Sequence, residues 1–152
     1  MLLTRLIALG GFAIAAVAYL LPFVTVSVGA TAYKVAGVDL ARAGVELLDQ
    51  LPNGGAKYWD SFLFTFGPFT LTWLLAGIGF AVRIPNWRHG PAVALICGAL
   101  GSALLVTGFL HWRQLLPWGF GIYLAMLGLF VATVGSAVGF AQVRMRPRDG
   151  PS

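Results

Sequence analysis

The chain has 152 residues, the length of a single compact domain. Hydrophobic residues make up 59% of it and charged residues 10%, whereas roughly a quarter of the residues in a soluble domain are charged. This composition excludes an ordinary soluble domain and predicts an integral membrane protein. The net charge of +5 does not indicate a nucleic-acid-binding protein, because the basic residues are scattered at the ends of apolar segments and form no continuous patch.

Four apolar segments are long enough to cross a bilayer, for which a helix needs about 20 residues. They predict transmembrane helices at about 6–26, 61–82, 91–109 and 116–141, with an outer cap at 27–60. Because the number of helices is even, both termini lie on one side. That side carries six arginines and the other side four basic residues, the bias expected for cytoplasmic termini. We therefore expect an all-α, four-transmembrane-helix antiparallel bundle with both termini cytoplasmic.

The first segment begins after Arg5 and repeats small residues at steps of three, four and three, which indicates a helix-packing face. These residues are Ala8, Gly11, Ala15 and Ala18. Ala16-Val17-Ala18 has the form of a signal-peptide cleavage site, but the apolar run continues to Val26, longer than the hydrophobic region of a signal peptide. We therefore expect an uncleaved helix, which Pro22 ends or bends near the outer surface.

From Val24 the hydrophobic period changes to two, which predicts a small extracytoplasmic β-hairpin with Gly29-Ala30 as its two-residue turn. The expected register pairs Val28 with Thr31, Val26 with Tyr33 and Val24 with Val35. One face of this hairpin is mostly apolar. It needs a cover, because an isolated two-stranded hairpin is marginal in water.

An amphipathic helix is predicted after the hairpin, with Asp39 as its cap. Its apolar side carries Leu40, Leu47, Leu48 and Leu51, and its polar side carries Arg42, Glu46, Asp49 and Gln50. Two positions remain open for this helix, over the hairpin or flat on the membrane. Pro52-Asn53-Gly54-Gly55 ends it, and Tyr58-Trp59 fit the aromatic belt where the chain re-enters lipid.

The second and third apolar segments carry a predicted kink and a second stripe of small residues. Gly67-Pro68 is expected to kink the second helix near its outer end, and Trp73 to pack within the bundle. The stripe of the third helix consists of Ala94, Gly98, Gly101 and Gly108. We expect it to pack against a complementary stripe on the fourth helix.

The fourth segment carries the longest stripe, with steps of four, three, four, three and four, the spacing that keeps one helix face against a partner. Its members are Gly121, Ala125, Gly128, Ala132, Gly135 and Gly139. Together with Gly98 and Gly101 they are the predicted helix-packing residues. The inner ends of the helices carry arginines that are predicted topology anchors and candidate contacts for lipid headgroups, namely Arg83, Arg88, Arg144, Arg146 and Arg148.

The sequence contains no pattern that indicates catalysis. The four segments hold no Asp, Glu, Lys, Arg or His, so no helix supplies a base for a nucleophile or a proton relay. His89 and His111 are predicted on opposite sides of the membrane and therefore cannot share a metal ion. Cys97 is the single cysteine, so it forms no internal disulfide and is expected in the core. We predict no enzyme, no metal site and no cofactor.

Three stretches resemble the claudin and peripheral-myelin-protein group of four-helix membrane proteins. They are Leu21-Pro22 leading into Val24–Val28, then Gly98–Trp112, and then Gly119–Gly139. The resemblance implies four membrane helices and an outer loop. The loop of that group has a Trp, a Gly-Leu-Trp motif and two cysteines, where this chain has Phe23, Gly37-Val38-Asp39 and no cysteine, so the loop disulfide is not expected. The usage of Ala, Gly, Leu and Trp equally resembles uncharacterised small four-helix proteins of bacterial inner membranes. We favour this second resemblance, and it implies a location in a bacterial inner membrane.

These features predict a non-enzymatic membrane protein, a structural or accessory subunit. We expect it to contact membrane lipids and to associate with itself or with other membrane proteins through its small-residue faces and its outer cap. The alternative is an oligomeric pore or a small transporter component. A pore needs a polar stripe across the membrane, and the hydroxyl side chains of the helices are few and uncharged.

Overall fold

The computed structural model describes residues 2–48, 65–83 and 90–145. Within these ranges lie five α-helices and one two-stranded sheet. In chain order the elements are α1 (Leu2–Ala18), β1 (Pro22–Val28), β2 (Thr31–Ala36), α2 (Gly37–Leu48), α3 (Thr70–Arg83), α4 (Gly90–Trp112) and α5 (Phe120–Met145). An irregular helical turn, Thr65–Phe69, leads directly into α3.

The four longest helices, α1, α3, α4 and α5, pack as an antiparallel bundle. In α1, Ala15 lies against Gly128 and Ala8 against Gly135, so α1 and α5 run in opposite directions. α5 also packs on α4, α4 on α3 and α3 on α1, which closes the ring. The centre holds Phe12, Leu74, Cys97, Leu105 and Leu129, all buried. The expected core position of Cys97 is thereby confirmed.

Two of the described helices, α4 and α5, are long and apolar enough to cross a membrane. Their 23 and 26 residues extend roughly 35 and 39 Å, against about 30 Å of hydrocarbon. α1 is apolar, but its 17 residues reach only about 26 Å, and α3 has 14 residues. By length, therefore, the structure supports two of the four predicted transmembrane helices.

The predicted bounds 6–26 are wrong at their outer end, because α1 already ends at Ala18 and a strand begins at Pro22. Proline lacks the N–H that a helix needs, and the β-branched residues after it favour a strand. The prediction 116–141 starts too early, since α5 begins at Phe120. In the preceding link, Gly119 donates its N–H to the carbonyl of Phe23 over 2.7 Å, which holds the chain beside β1.

The hairpin has the predicted register, with Val24 opposite Val35, Val26 opposite Tyr33 and Val28 opposite Thr31. The turn is also confirmed, because Gly29 has a φ of 61°, a conformation that glycine adopts without strain. A third segment of the chain, which no sequence pattern indicates, also pairs with this sheet. Thr25 of β1 donates its N–H to the carbonyl of Pro117 over 3.0 Å, so the link before α5 lies along the outer edge of β1.

α2 begins at Gly37, two residues before the predicted cap. Asp39 is instead the third helical residue, and its carboxylate accepts the N–H of Ala36 over 3.2 Å, the return half of a capping box. On the polar side, Arg42 and Glu46 form an exposed ion pair with a separation of 3.1 Å. The predicted leucine side is described only at Leu40, which is buried; Leu51, Pro52–Gly55 and Tyr58-Trp59 lie outside the described residues.

Candidate functional site

The stripe of small residues on α5 faces α1, and all six of its members are buried. A methyl group at Gly128 would come within 2.5 Å of the Ala15 nitrogen and 2.7 Å of the Gly11 oxygen, so the two backbones touch there. The same close approach runs along the helix, with Gly121 against Leu21 and Pro22, Gly135 against Ile7 and Ala8, and Gly139 against Thr4. In this structure the stripe is therefore a contact within the chain and is closed to a partner.

The small residues of α4 do not meet this stripe, so the expected pairing of the third and fourth helices through their stripes is wrong. A methyl group at Gly98 would come within 2.7 Å of the Thr133 hydroxyl, and one at Gly101 would touch Leu129 at 3.4 Å. Thr133 and Leu129 belong to the neighbouring face of α5. One helix face can approach only one partner closely. α1 carries a small face of matching spacing, and it is α1 that packs against the stripe of α5.

The outside of the bundle consists of large apolar side chains. On α5 they lie opposite the small face and comprise Phe120, Tyr123, Leu127, Phe130, Val134 and Val138. α1 and α4 have the same pattern, with Leu6, Ile14, Val17, Ile96, Leu100 and Leu110 exposed. A helix on the surface of a soluble protein would carry charged and polar residues on this side. Large residues outside and small residues inside suit a lipid environment, where packing depends on close approach of backbones.

The end of the bundle next to the hairpin contains the predicted kink. Gly67 has φ −95° and ψ −106°, which is not helical, and Pro68 has no N–H to donate. Three hydroxyl groups donate to the backbone carbonyls at the break. Thr70 donates to the carbonyl of Thr65 over 2.6 Å and Thr72 to that of Pro68 over 2.6 Å. Tyr19 donates to the carbonyl of Phe66 over 3.2 Å. Tyr19 follows the last residue of α1, so its bond joins α1 to the break.

α2 covers this break and leaves much of the hairpin uncovered. A methyl group at Gly67 would lie 2.5 Å from the carbonyl oxygen of Leu40, so α2 and the Thr65–Phe69 turn are in backbone contact. At the base of the hairpin Val24 is 1% exposed, whereas nearer the tip Val26 is 39% and Tyr33 56% exposed. Of the two positions considered for the amphipathic helix, the one over the hairpin is not occupied, because α2 docks on the break, where Gly67 allows its backbone to approach closely.

An aromatic cluster joins the elements at the same end. The ring centroids of Phe66 and Trp118 are 5.1 Å apart, as are those of Phe109 and Trp118. Tyr123 lies edge-on to Phe109 at 5.6 Å. Tilted and edge-on rings at such distances add about 0.5–1.5 kcal/mol per pair beyond their burial. The cluster thus fixes the link that carries Trp118, and with it the base of the hairpin.

The opposite end of the bundle carries the two described candidates for contacts with lipid headgroups, Arg83 and Arg144. Arg144 is exposed in the last turn of α5, with its guanidinium 5.0 Å from the centre of the Phe140 ring. Arg83 ends α3, and the other candidates for lipid contacts, Arg88, Arg146 and Arg148, lie outside the described residues. Arg5 was not among the candidates. Its Nε donates to the carbonyl of Ala81 over 2.9 Å, which places a cation at the C-terminal end of α3, where the helix dipole favours it.

Among residues 2–48, 65–83 and 90–145, no three His, Cys, Asp or Glu side chains lie close enough to hold a metal ion. Comparisons with protein families, with curated proteins and with solved structures find no match. The resemblance to the claudin group and to small bacterial inner-membrane proteins therefore stays a hypothesis. Evidence on function comes from the surfaces of the molecule, and the exposed hairpin and α2 form the candidate interaction site.

Proposed function

We propose that the protein is a four-span integral membrane protein of a bacterial inner membrane that acts without catalysis, as a structural or accessory subunit. Its binding site for another membrane protein, or for a second copy, is the outer end formed by the hairpin and α2. One observation carries this proposal. The hairpin tip exposes the aromatic ring of Tyr33 next to Lys34, whereas the small faces of α1 and α5 are buried inside the bundle and the sides of the bundle are apolar.

The packing of α1 and α3 supports four spans, although both are shorter than α4 and α5. α1 lies along α5 from Ala15 to Thr4, and its outward side is as apolar as that of α5. The shortfall against the hydrocarbon thickness is about 4 Å for α1 and about 9 Å for α3, and the Thr65–Phe69 turn extends α3 toward the outer side. Local thinning of the bilayer accommodates such mismatches at fractions of a kcal/mol per Å. Arg5, Arg83 and Arg144 belong to helix ends opposite the hairpin, and the six-to-four bias of basic residues in the whole sequence favours that end as the cytoplasmic one.

The location of the partner surface follows from the weak driving force that apolar contacts have in lipid. Large apolar side chains that face lipid lose nothing by staying there, because lipid tails are as apolar as a protein partner. Exposed backbone groups and an aromatic ring in water gain more free energy from binding a partner, because they can form hydrogen bonds and bury apolar area. The hairpin tip supplies both through Tyr33 and its exposed strand, and the exposed Arg42–Glu46 pair of α2 adds charges at the same end of the bundle.

The pore or transporter component has less support. Its water path would need hydroxyl groups free to face water, and the described ones mainly bond to their own helices. Thr133 donates to Leu129 and Ser136 to Ala132, each over 2.7 Å. Ser102 has a buried hydroxyl with no hydrogen-bond partner among the described residues, but one hydroxyl does not make a polar stripe.

Purification in mild detergent followed by transfer to lipid nanodiscs tests the proposal through the mass of the protein part. We expect a complex, either with a second copy or with another membrane protein in fixed ratio. The double variant Val26→Ser/Tyr33→Ser, changed only at the hairpin tip, should run as a monomer. Leu127→Ala, on the lipid-facing side of α5, is the control and should behave as the wild type. A wild-type monomer without a partner would contradict an accessory role.

A further inference from the structure

We propose that β2 pairs edge to edge with β2 of a second copy, so that the two hairpins form one four-stranded antiparallel sheet across a two-fold axis. This inference rests on the proposed function, because it names a second copy of the chain as the partner of the outer hairpin. Three features of the hairpin support it: the open edge of β2, the hydrogen-bond pattern between the strands and the position of Lys34.

β2 has a strand on one side only. Within the described residues the sheet order is β1–β2, and the other edge of β1 is held at its base by the Pro117–Gly119 link. An uncovered strand edge is a template for pairing with another chain. Because one edge is held by the link, two copies that join through their β2 edges form a closed pair and do not continue into a growing sheet.

The hairpin register shows which backbone groups of β2 point outward. A two-residue turn makes the Val28–Thr31 pair a hydrogen-bonded one, and such pairs alternate along an antiparallel ladder. Tyr33 is therefore hydrogen-bonded to β1, whereas Ala32 and Lys34 direct their N–H and C=O groups away from it. These groups on Ala32 and Lys34 are what a second strand would meet.

The lysine selects the position of the two-fold axis. An axis through Tyr33 sets Ala32 opposite Lys34 of the second copy, so every outward backbone group finds a partner. An axis through Lys34 would place two ammonium groups directly opposite each other, which destabilises a sheet. An axis through Ala32 would set Lys34 opposite Ala30, which lies in the turn and not in a strand. The axis through Tyr33 is the arrangement that the backbone and the charge both allow.

The same axis brings the exposed apolar groups of the hairpin together. The two Tyr33 side chains become a non-hydrogen-bonded pair, with Cβ atoms about 4.5–5.5 Å apart. Tyr33 shares its sheet face with Val24, which is buried, so this face turns toward the bundle and the Lys34 face turns away. The two copies are then related by a two-fold axis perpendicular to the sheet.

Disulfide cross-linking in lipid vesicles tests the register, in a Cys97→Ala background that removes the native thiol. Tyr33→Cys should give a cross-linked dimer as the main product under mild oxidation. Lys34→Cys, also exposed, should not, because the two Lys34 positions lie diagonally at about 7–8 Å, beyond the 3.5–4.5 Å between Cβ atoms that a disulfide needs. A mixture of Lys34→Cys and Ala32→Cys should restore the cross-link. Equal cross-linking of Tyr33→Cys and Lys34→Cys, or none in either, would overturn the proposal.

Ala32→Pro provides a second test, which keeps the hairpin intact. Proline at position 32 removes only the outward N–H of an edge strand, where proline is tolerated. We expect loss of the dimer in nanodiscs with unchanged thermal unfolding, while Tyr33→Phe stays dimeric. A dimeric Ala32→Pro protein would refute edge pairing. If the wild type instead binds a different membrane protein and Tyr33→Cys does not cross-link, this inference fails and the proposed function stands; a partnerless monomer contradicts both.

Discussion

Replacing Gly11 by alanine tests the contact between α1 and α5 at its closest point. The added methyl group would overlap the Ala132 nitrogen and lie 2.6 Å from the Gly128 oxygen, both of which are backbone atoms that cannot rotate away. An ordinary contact of a Cβ atom begins at 3.4 Å, so the two helices must part by roughly 1 Å. Overpacking of this kind costs about 1–3 kcal/mol.

Gly10→Ala is the matched control, because nothing lies within 4 Å of a methyl group there. Both variants gain about 1 kcal/mol from replacing a helical glycine, so the difference between them isolates the overpacking. We expect Gly11→Ala to be less stable than Gly10→Ala by about 1–3 kcal/mol in equilibrium unfolding in one detergent. Equal stability of the two variants would refute the close approach of α1 and α5.

Three further substitutions probe other contacts. Gly128→Leu should unfold at a lower temperature than Leu127→Ala, because the former inserts a side chain between two backbones and the latter trims one that is exposed on the outside of the bundle; similar melting points would mean that the small stripe does not pack against α1. Gly67→Ala should push α2 off the helix break and speed amide exchange in α2 while leaving α4 unchanged, whereas unaltered exchange in α2 would contradict the docking. Tyr19→Phe removes the donor to a buried carbonyl at the break and should cost about 1–3 kcal/mol; an unaffected unfolding curve would show that the bond is dispensable.

The sequence allowed the local elements to be predicted where a short pattern determines them. The period of two around Val24–Val28, together with a turn that begins with Gly29, defines a register that only one alignment of the strands satisfies. Gly67-Pro68 likewise has a purely local effect, since proline removes a hydrogen bond from any helix that contains it. The helix faces that carry small residues could also be predicted, because the spacing of these residues alone defines the faces.

What the sequence could not supply was the partner of each face. The spacing of small residues fits α4 to α5 as well as α1 to α5, and the choice depends on how all four helices close into a ring. The docking of α2 on the helix break depends on a contact between Leu40 and Gly67, which are far apart in the chain. The link around Trp118 was read as helix because its residues are apolar, whereas its hydrogen bonds to β1 arise only in the folded chain.

The candidate interaction site was predicted in part. The hairpin was identified, but its apolar face was expected to be covered, and the exposure of Tyr33 follows from α2 lying elsewhere. The open edge of β2 depends on the absence of a further strand beside it among the described residues, which periodicity does not report. The hydrogen bond of Arg5 could not be predicted from its place ahead of the first apolar segment, because it forms only when the end of α3 lies beside Arg5 in the folded chain.

Labelling of single cysteines in intact cells tests the four-span arrangement with an outer hairpin most directly. In a Cys97→Ala background, a membrane-impermeant maleimide should label Lys34→Cys and Gln114→Cys before lysis. Leu2→Cys and Met145→Cys, also exposed but at the opposite end of the bundle, should react only after the membrane is permeabilised. A protein that crosses the membrane only with α4 and α5 would place Lys34 on the same side as Leu2. Equal labelling of Lys34→Cys and Leu2→Cys in intact cells would therefore contradict the account.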